Sequence, residues 1–186
     1  FQLGGTAPVV GSIAELDAVI DARFGPQSPL VKQQYTPASD AQANDALIRL
    51  GTDLLFRCPA RALARRTAGQ GSQVFLYHFE EGLAFHAFAL PYVFGMPIPQ
   101  LGVTTLVEFV SPQFQTAFTS FAAVGEPQPR LDDGGGPVTD VVFGDLPPWP
   151  RHAAQGDRHI SVKRVSEEAP GLSRADCDVL ESIGAV

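Results

Sequence analysis

The apolar positions of this chain switch between helical and strand-like spacing, and turn residues mark each change. Residues 1–11 are glycine-rich without a helical period and read as a loop or a short strand entering the domain. Ser12 then opens a capping box with Glu15 three positions on. Behind it Ile13, Leu16, Ile20 and Phe24 share one side of a helix that Gly25-Pro26 ends. The PQSP and TPASD stretches are loop, with Asp40 as the N-cap of the next element. A long helical pattern follows through Leu47, Ile48, Leu50, Leu54 and Leu55. Cys58-Pro59 kinks it or restarts it as a second helix to about Thr67. Arg61, Arg65 and Arg66 on that second helix read as a solvated face.

After the stop signal at 69–72, Val74–Phe79 is a dense β-branched and aromatic run, the mark of a buried strand. A strand apolar on both faces belongs to a parallel sheet covered by helices, so the fold class is α/β. Residues 96–102 are loop, and a helix is expected from Pro112 to Val124 with Phe114, Phe118 and Phe121 on one side and Gly125 closing it. The Pro-, Gly- and Asp-rich stretch 126–150, Trp149 included, reads as a long surface connection. Ile160-Ser161-Val162 is a last short strand, and Ser173 with Asp176 caps a final helix that has Cys177 in its first turn. Long helices beside one convincing strand are too little sheet for a self-standing doubly wound domain, so the chain is expected to be part of a larger α/β protein. That its first residue is Phe1 agrees with a processed chain or a piece of something longer.

Composition narrows the partners. With 45% hydrophobic and 18% charged residues in 186, the chain is too apolar for intrinsic disorder and about one domain long. Its net charge of −7 disfavours polyanions, which excludes nucleic acid as the expected partner. No run reaches the roughly 18 apolar residues of a membrane span, and the start lacks a basic segment followed by an apolar one. Cys58 and Cys177 are too sparse for a zinc framework; they read either as buried thiols or as one long-range disulfide.

Four histidines are the candidates for chemistry. His152 and His159 lie in a polar stretch and are expected to be solvated, whereas His78 is a core histidine of the strand. His86 differs, because it is a titratable residue in an apolar loop just past a strand end, where open α/β sheets keep reactive groups. A general base also needs a nucleophile and an orienting carboxylate. The chain has no G-x-S-x-G elbow, no phosphate-binding glycine loop, no H-E-x-x-H and no His and carboxylate set with metal-ligand spacing, so no metal and no cofactor is expected. It carries half of a catalytic apparatus at most.

Three stretches supply more. Thr52–Ala60 (TDLLFRCPA), Val74–Phe79 (VFLYHF) and Ala84–Gly95 (AFHAFALPYVFG) resemble the C-terminal third of type B carboxylesterases, the carboxylesterase and cholinesterase branch of the α/β-hydrolase superfamily. The likeness runs on through Phe118–Ala122, Gly125-Glu126-Pro127 and Trp149-Pro150, over roughly residues 13–180. It implies that residues 1–186 are the C-terminal part of one α/β-hydrolase domain, a mostly parallel sheet flanked by helices, completed by a preceding chain or segment.

The same resemblance implies that His86 is the histidine of a Ser-His-Asp/Glu triad acting on a small-molecule ester. In that chain order the serine and the acid come first, on an N-terminal chain of the same protein. Neither Glu15 nor Asp17 sits in the family's acid motif. Leu83, Phe85 and Phe88 flank the histidine as candidates for lining the acyl or alcohol pocket. A disulfide between Cys58 and Cys177 is implied as well, and with it an oxidising compartment, secreted or periplasmic. The sequence departs from the resemblance at two positions: the family's Glu three residues after the histidine is Ala89 here, which puts the hydrogen-bond support behind the histidine in question, and the family tryptophan of the later helix is Phe118, an aromatic swap. The alternative reading is a non-catalytic cholinesterase-like binding or adhesion module.

Overall fold

Residues 9–81, 87–101, 105–127, 147–153 and 156–186 are described by a computed structural model of the protein. They divide into two units, Phe1–Arg66 with Gly171–Val186, and Thr67–Pro170.

In the first unit, α1 (Ile13–Phe24) begins as its sequence dictates. Ser12 Oγ accepts the Glu15 N–H at 3.2 Å, and the Glu15 carboxylate reaches back to the Gly11 N–H at 2.7 Å. Gly25, at φ +51°, ends the helix. Asp40 does not cap the element after it. It lies in a short 3₁₀ turn, Asp40–Gln42, and its carboxylate accepts the Ile13 N–H at 2.8 Å, so it supports the start of α1 from a distance in sequence. Two further helices follow, α2 (Ser28–Tyr35) and α3 (Ala43–Thr52).

The long pattern across Cys58-Pro59 is neither a kink nor a clean restart. One π-helical stretch, Asp53–Arg57, joins α3 to α4 (Cys58–Gly69). Pro59 has no N–H to give and its ring crowds the carbonyl four residues back, and the wider turn relieves both. The Cys58 N–H accordingly bonds to the carbonyl of Asp53, five residues earlier. Burying that turn puts Asp53 wholly out of solvent, where it accepts the Tyr35 hydroxyl at 3.0 Å and pairs with Arg57 at 3.3 Å. Burial outweighs these partners and holds the Asp53 carboxyl above its ordinary range.

The last helix, α7 (Arg174–Ser182), belongs to this unit, and Cys177 on it is disulfide-bonded to Cys58 across 119 positions. Ser173 precedes α7 at φ +46° and makes no side-chain cap, so the helix is where the sequence placed it but the capping box is not formed. Arg61 is not a solvated residue. It is 2% exposed and donates to Asp178 and Glu181 of α7, both at 2.7 Å, while Arg65 reaches Glu181 at 2.9 Å and Arg66 remains exposed. A spacing rule for charges on one helix misses this, because the two carboxylates arrive from more than a hundred residues away. Leu16, Ile20, Val31, Tyr35, Leu50 and Leu180 form the core around the disulfide.

The second unit is built on a three-stranded sheet. β1 (Tyr77–Phe79) pairs in parallel with β2 (Arg158–Val162), which pairs antiparallel with β3 (Glu167–Pro170). The expected strand at Val74–Phe79 is therefore regular only over its last three residues, and it is half-buried. Earlier in the run the Val74 and Leu76 carbonyls accept the His152 and Ile160 N–H groups, and Phe75 bridges to Arg151. The expected strand at 160–162 is β2, with β3 as its unforeseen neighbour.

Between β1 and β2 the chain runs through α5 (Leu90–Phe94) and α6 (Thr105–Val124), which pack together. α6 begins ahead of Pro112 rather than at it and closes at Gly125, at φ +78°. The register sets Tyr77 beside Ile160 and Phe79 beside Val162 on one sheet face. That face meets Phe114, with ring centroids at 5.3 Å for Tyr77 and 6.0 Å for Phe79, and Phe79 also meets Tyr92 at 5.0 Å. Trp149 is not a surface residue: it is 8% exposed, 5.8 Å from Tyr77, within this core. Residues 128–146 of the expected connection lie outside the described residues.

Replacing both Cys58 and Cys177 by alanine is expected to lower stability by roughly 4 to 5 kcal/mol, because so long a loop is closed. A denaturant titration checks this. A loss below about 1 kcal/mol would mean that the α4–α7 contact is held by the Arg61 carboxylate pair and apolar packing instead.

Candidate active site

The second face of the sheet is polar, in contrast to the aromatic one. Strand alternation puts His78 on β1 and His159 and Ser161 on β2 there, with His78 opposite Ser161 in the parallel register. Glu80 follows directly after β1, and its N–H donates to the Val162 carbonyl at 2.9 Å, which carries the ladder one step further. Its side chain joins both strands: His78 Nδ1 donates to Oε1 at 2.8 Å, and the Ser161 hydroxyl donates to Oε2. Partial burial opposes the charged carboxylate, but the Ser161 hydroxyl and the His78 imidazole outweigh it and hold Glu80 below the ordinary carboxylate range.

The two histidines expected in solvent are both buried. His152 is 2% exposed, donates from Nδ1 to the Arg158 carbonyl at 2.9 Å, and sets Nε2 3.6 Å from the Asp157 carboxylate. His159 is 5% exposed, with its ring centroid 6.3 Å from that of His78 and no hydrogen-bond partner at Nδ1 among the described residues. Burial above all, then the neighbouring His78, lowers the His159 pKa, while Glu80 and Asp157 work in the other direction. The polar composition around these residues pointed to solvent. The signal that finds His159 is the period of two in Arg158–Val162, which places Ile160 and Val162 on one side and His159 and Ser161 on the other; His152, ahead of the strand, has no such signal.

Of the residues singled out from sequence, His86, Phe85 and Leu83 lie outside the described residues. Phe88 is described: it is 3% exposed and packs edge-on to Tyr92, with ring centroids 5.8 Å apart. The residues on either side of 82–86 are thus firmly placed, Glu80 on the sheet and Phe88 in the core. Just past that segment, Ala87 takes φ +66°, a left-handed conformation rare outside glycine, and its carbonyl accepts the Leu90 N–H as α5 starts. α5 ends at Gly95, at φ +64°, where an added Cβ would come within 2.7 Å of Gln115 Nε2 on α6. Among the described residues no three His, Cys, Asp or Glu side chains are grouped to hold a metal ion, and no helix is long and apolar enough to cross a membrane.

Residues 23–180 match the carboxylesterase family. The chain belongs to that family. The match includes β1, the 82–86 segment, α5, α6 and β2, so the whole neighbourhood of His86 falls within it. Helices around a small, partly parallel sheet are compatible with part of an α/β-hydrolase domain, and the chemistry the family supports is carboxylic ester hydrolysis.

A histidine whose pKa is depressed in the folded state destabilises that state as soon as the unfolded chain takes up a proton. The penalty of His159 is therefore absent above about pH 6.5 and grows as pH falls below it. His159→Phe is expected to flatten the acid side of a melting-temperature profile between about pH 7 and pH 5. Profiles of the same slope for wild type and variant would remove His159 as the source of acid lability.

Proposed function

We propose that this chain supplies the general base, His86, of a serine-dependent carboxylic ester hydrolase, and that an N-terminal chain or segment of the same protein supplies the nucleophilic serine, the triad acid and the oxyanion hole. The observation that carries this reading is the family match across residues 23–180, because it spans the segment in which Ala84–Gly95 resembles the histidine motif of type B carboxylesterases. The absence of a G-x-S-x-G elbow from this sequence fits the chain order serine, acid, histidine, in which the other triad members come first. Residues 1–186 are then the C-terminal portion of one α/β-hydrolase domain, and its sheet is completed by strands from that other portion. The disulfide between Cys58 and Cys177 supports an oxidising location, secreted or periplasmic.

The chemistry is acyl transfer in two halves. His86 takes the hydroxyl proton of the serine as its oxygen attacks the ester carbonyl, and the tetrahedral intermediate collapses when the same proton passes to the departing alcohol. His86 next takes a proton from water, the resulting hydroxide attacks the acyl-enzyme, and the proton returns to the serine as the carboxylic acid leaves. Leu83, Phe85 and Phe88 are placed by this reading against the acyl or alcohol group of a small ester, with Phe88 braced by Tyr92.

The test uses the whole protein. Intact mass and N-terminal sequencing, with and without reductant, identify the chain that carries G-x-S-x-G. p-Nitrophenyl acetate hydrolysis is then compared between wild type and His86→Ala. The substitution is expected to lower kcat by roughly 10⁴ to 10⁶ with folding intact, the loss seen when a triad histidine is removed. Activity indifferent to His86, or a protein with no serine chain, would overturn the reading and favour a binding module.

A further inference from the structure

The residues before and after the 82–86 segment are tied to the same helix by different means. After it, α5 packs on α6, with Phe88 and Tyr92 in the core that surrounds Phe114. Before it, the tie is polar and passes through β2. Glu80 is fixed by three contacts, its N–H on the Val162 carbonyl and its carboxylate on His78 and Ser161. The Glu81 carboxylate accepts the Arg164 N–H at 2.7 Å, in the turn between β2 and β3. That turn is itself held to α6. Gln113 Nε2 donates to the Lys163 carbonyl at 3.1 Å, the Ser166 hydroxyl donates to Gln113 Oε1, and the Lys163 N–H donates to Ser166 Oγ at 3.2 Å. Gln113 is 7% exposed, so this link lies inside the unit rather than on its surface.

Two consecutive glutamates at a strand exit, each accepting a hydrogen bond from the neighbouring strand or its turn, are more than the sheet needs. β1 already has its backbone ladder and its aromatic face. What the pair adds is a fixed position and direction for the chain as it leaves the sheet, six residues before His86. A general base works only when its nitrogen lies within hydrogen-bond reach of the nucleophile, and a displacement of about 1 Å can cost about a hundredfold in rate.

We infer that Glu80 and Glu81 are positioning residues for the triad base, bracing the N-terminal side of the His86 segment against β2, its turn and, through Gln113, α6. The inference rests on the reading of His86 as that base. The bracing acts through hydrogen bonds: at Glu81 one oxygen accepts, as a glutamine oxygen can, and at position 80 a glutamine oxygen can accept from His78 while its Nε2 donates to the Ser161 hydroxyl, which turns to accept, so the brace survives loss of charge but not loss of the side chain.

Steady-state and burst kinetics on the whole protein with p-nitrophenyl acetate test this, kcat being expressed per active site from the burst amplitude. The double substitution Glu80→Ala with Glu81→Ala is expected to lower kcat per active site about tenfold, with KM within about twofold of wild type. Glu80→Gln with Glu81→Gln is expected to recover most of the rate. Should the double alanine variant fail to fold, Glu81→Ala alone carries the same comparison, because its side chain is only half-buried and its hydrogen bond among the described residues is the one from the Arg164 N–H. Unchanged kcat per site in the alanine variants overturns the inference, and so does a loss confined to the number of active sites, which would mark the glutamates as contributors to folding only. A glutamine pair as slow as the alanine pair also overturns it. The failure of the underlying reading looks different, because wild-type turnover would then be absent or indifferent to His86→Ala.

Discussion

The parallel pairing of β1 with β2 is the constraint on which the second unit is organised. Two parallel strands cannot be joined by a tight turn, so the chain between Phe79 and Arg158 has to cross over and cover a sheet face. That crossover contains the 82–86 segment, α5 and α6. The alternation along two short strands then determines what the crossover meets. Tyr77, Phe79, Ile160 and Val162 point at Phe114, Tyr92 and Trp149, and burying these rings supplies most of the free energy that holds α5 and α6 in place. The other side chains, His78, His159 and Ser161, are placed opposite by the same alternation. One ladder thus produces both the apolar core and the polar face on which Glu80 is held.

The first unit solves a different problem, that of joining two stretches of chain far apart in sequence. Its two pieces, residues 1–66 and 171–186, are connected covalently by Cys58 and Cys177. The disulfide fixes one point of α7 on α4, and a single point leaves rotation about it free. Arg61 removes that freedom. Its guanidinium offers donors in a planar fork, and it meets Asp178 and Glu181, which lie three residues apart and so on one side of α7. Because Arg61 is almost wholly buried, any other orientation of α7 would leave an uncompensated charge, so the pair acts mainly on specificity of docking and less on net stability. The Tyr35, Asp53 and Arg57 group does a similar service at the π turn, where a buried carboxylate is acceptable only because a phenol and a guanidinium are both in reach.

Features of the fold are legible in the sequence where the physics is local. The cap at Ser12, the stop at Gly25, the helical spacing of Leu47 to Leu55, the glycine after Val124 and the short strand at 160–162 all depend on neighbours within a few residues. The misreadings share a different cause. Arg61, Trp149 and His159 are buried by elements distant in sequence, and charge spacing for Arg61 and local composition for the other two point to solvent; His152 is held by Asp157 and Arg158 five and six residues on, across a turn that composition does not show. Asp40 misled in the same way, since its carboxylate serves a helix 27 residues back and not the one that follows. β3 carries two glutamates and a proline and gave no strand signal, because an edge strand can be polar on both sides. The family was legible in the sequence because Ala84–Gly95 holds a dense motif. The brace at Glu80 and Glu81 was not, since carboxylates just past a strand look like any solvated turn.

The polar face also bears on how acid would silence such an enzyme. A triad histidine must be neutral to accept the serine proton, so turnover per site falls once the imidazole is protonated. The buried His159 acts on another quantity. Its depressed pKa makes the folded state poorer in protons than the unfolded chain, so falling pH reduces the number of folded molecules and leaves the rate of each survivor unchanged. Glu80 counteracts this on the same face, because its carboxylate stays ionised to lower pH than usual and favours positive charge on the nearby imidazoles. The two effects of acid, fewer folded molecules through His159 and, on the proposed reading of His86, slower turnover of each, then arise from different side chains.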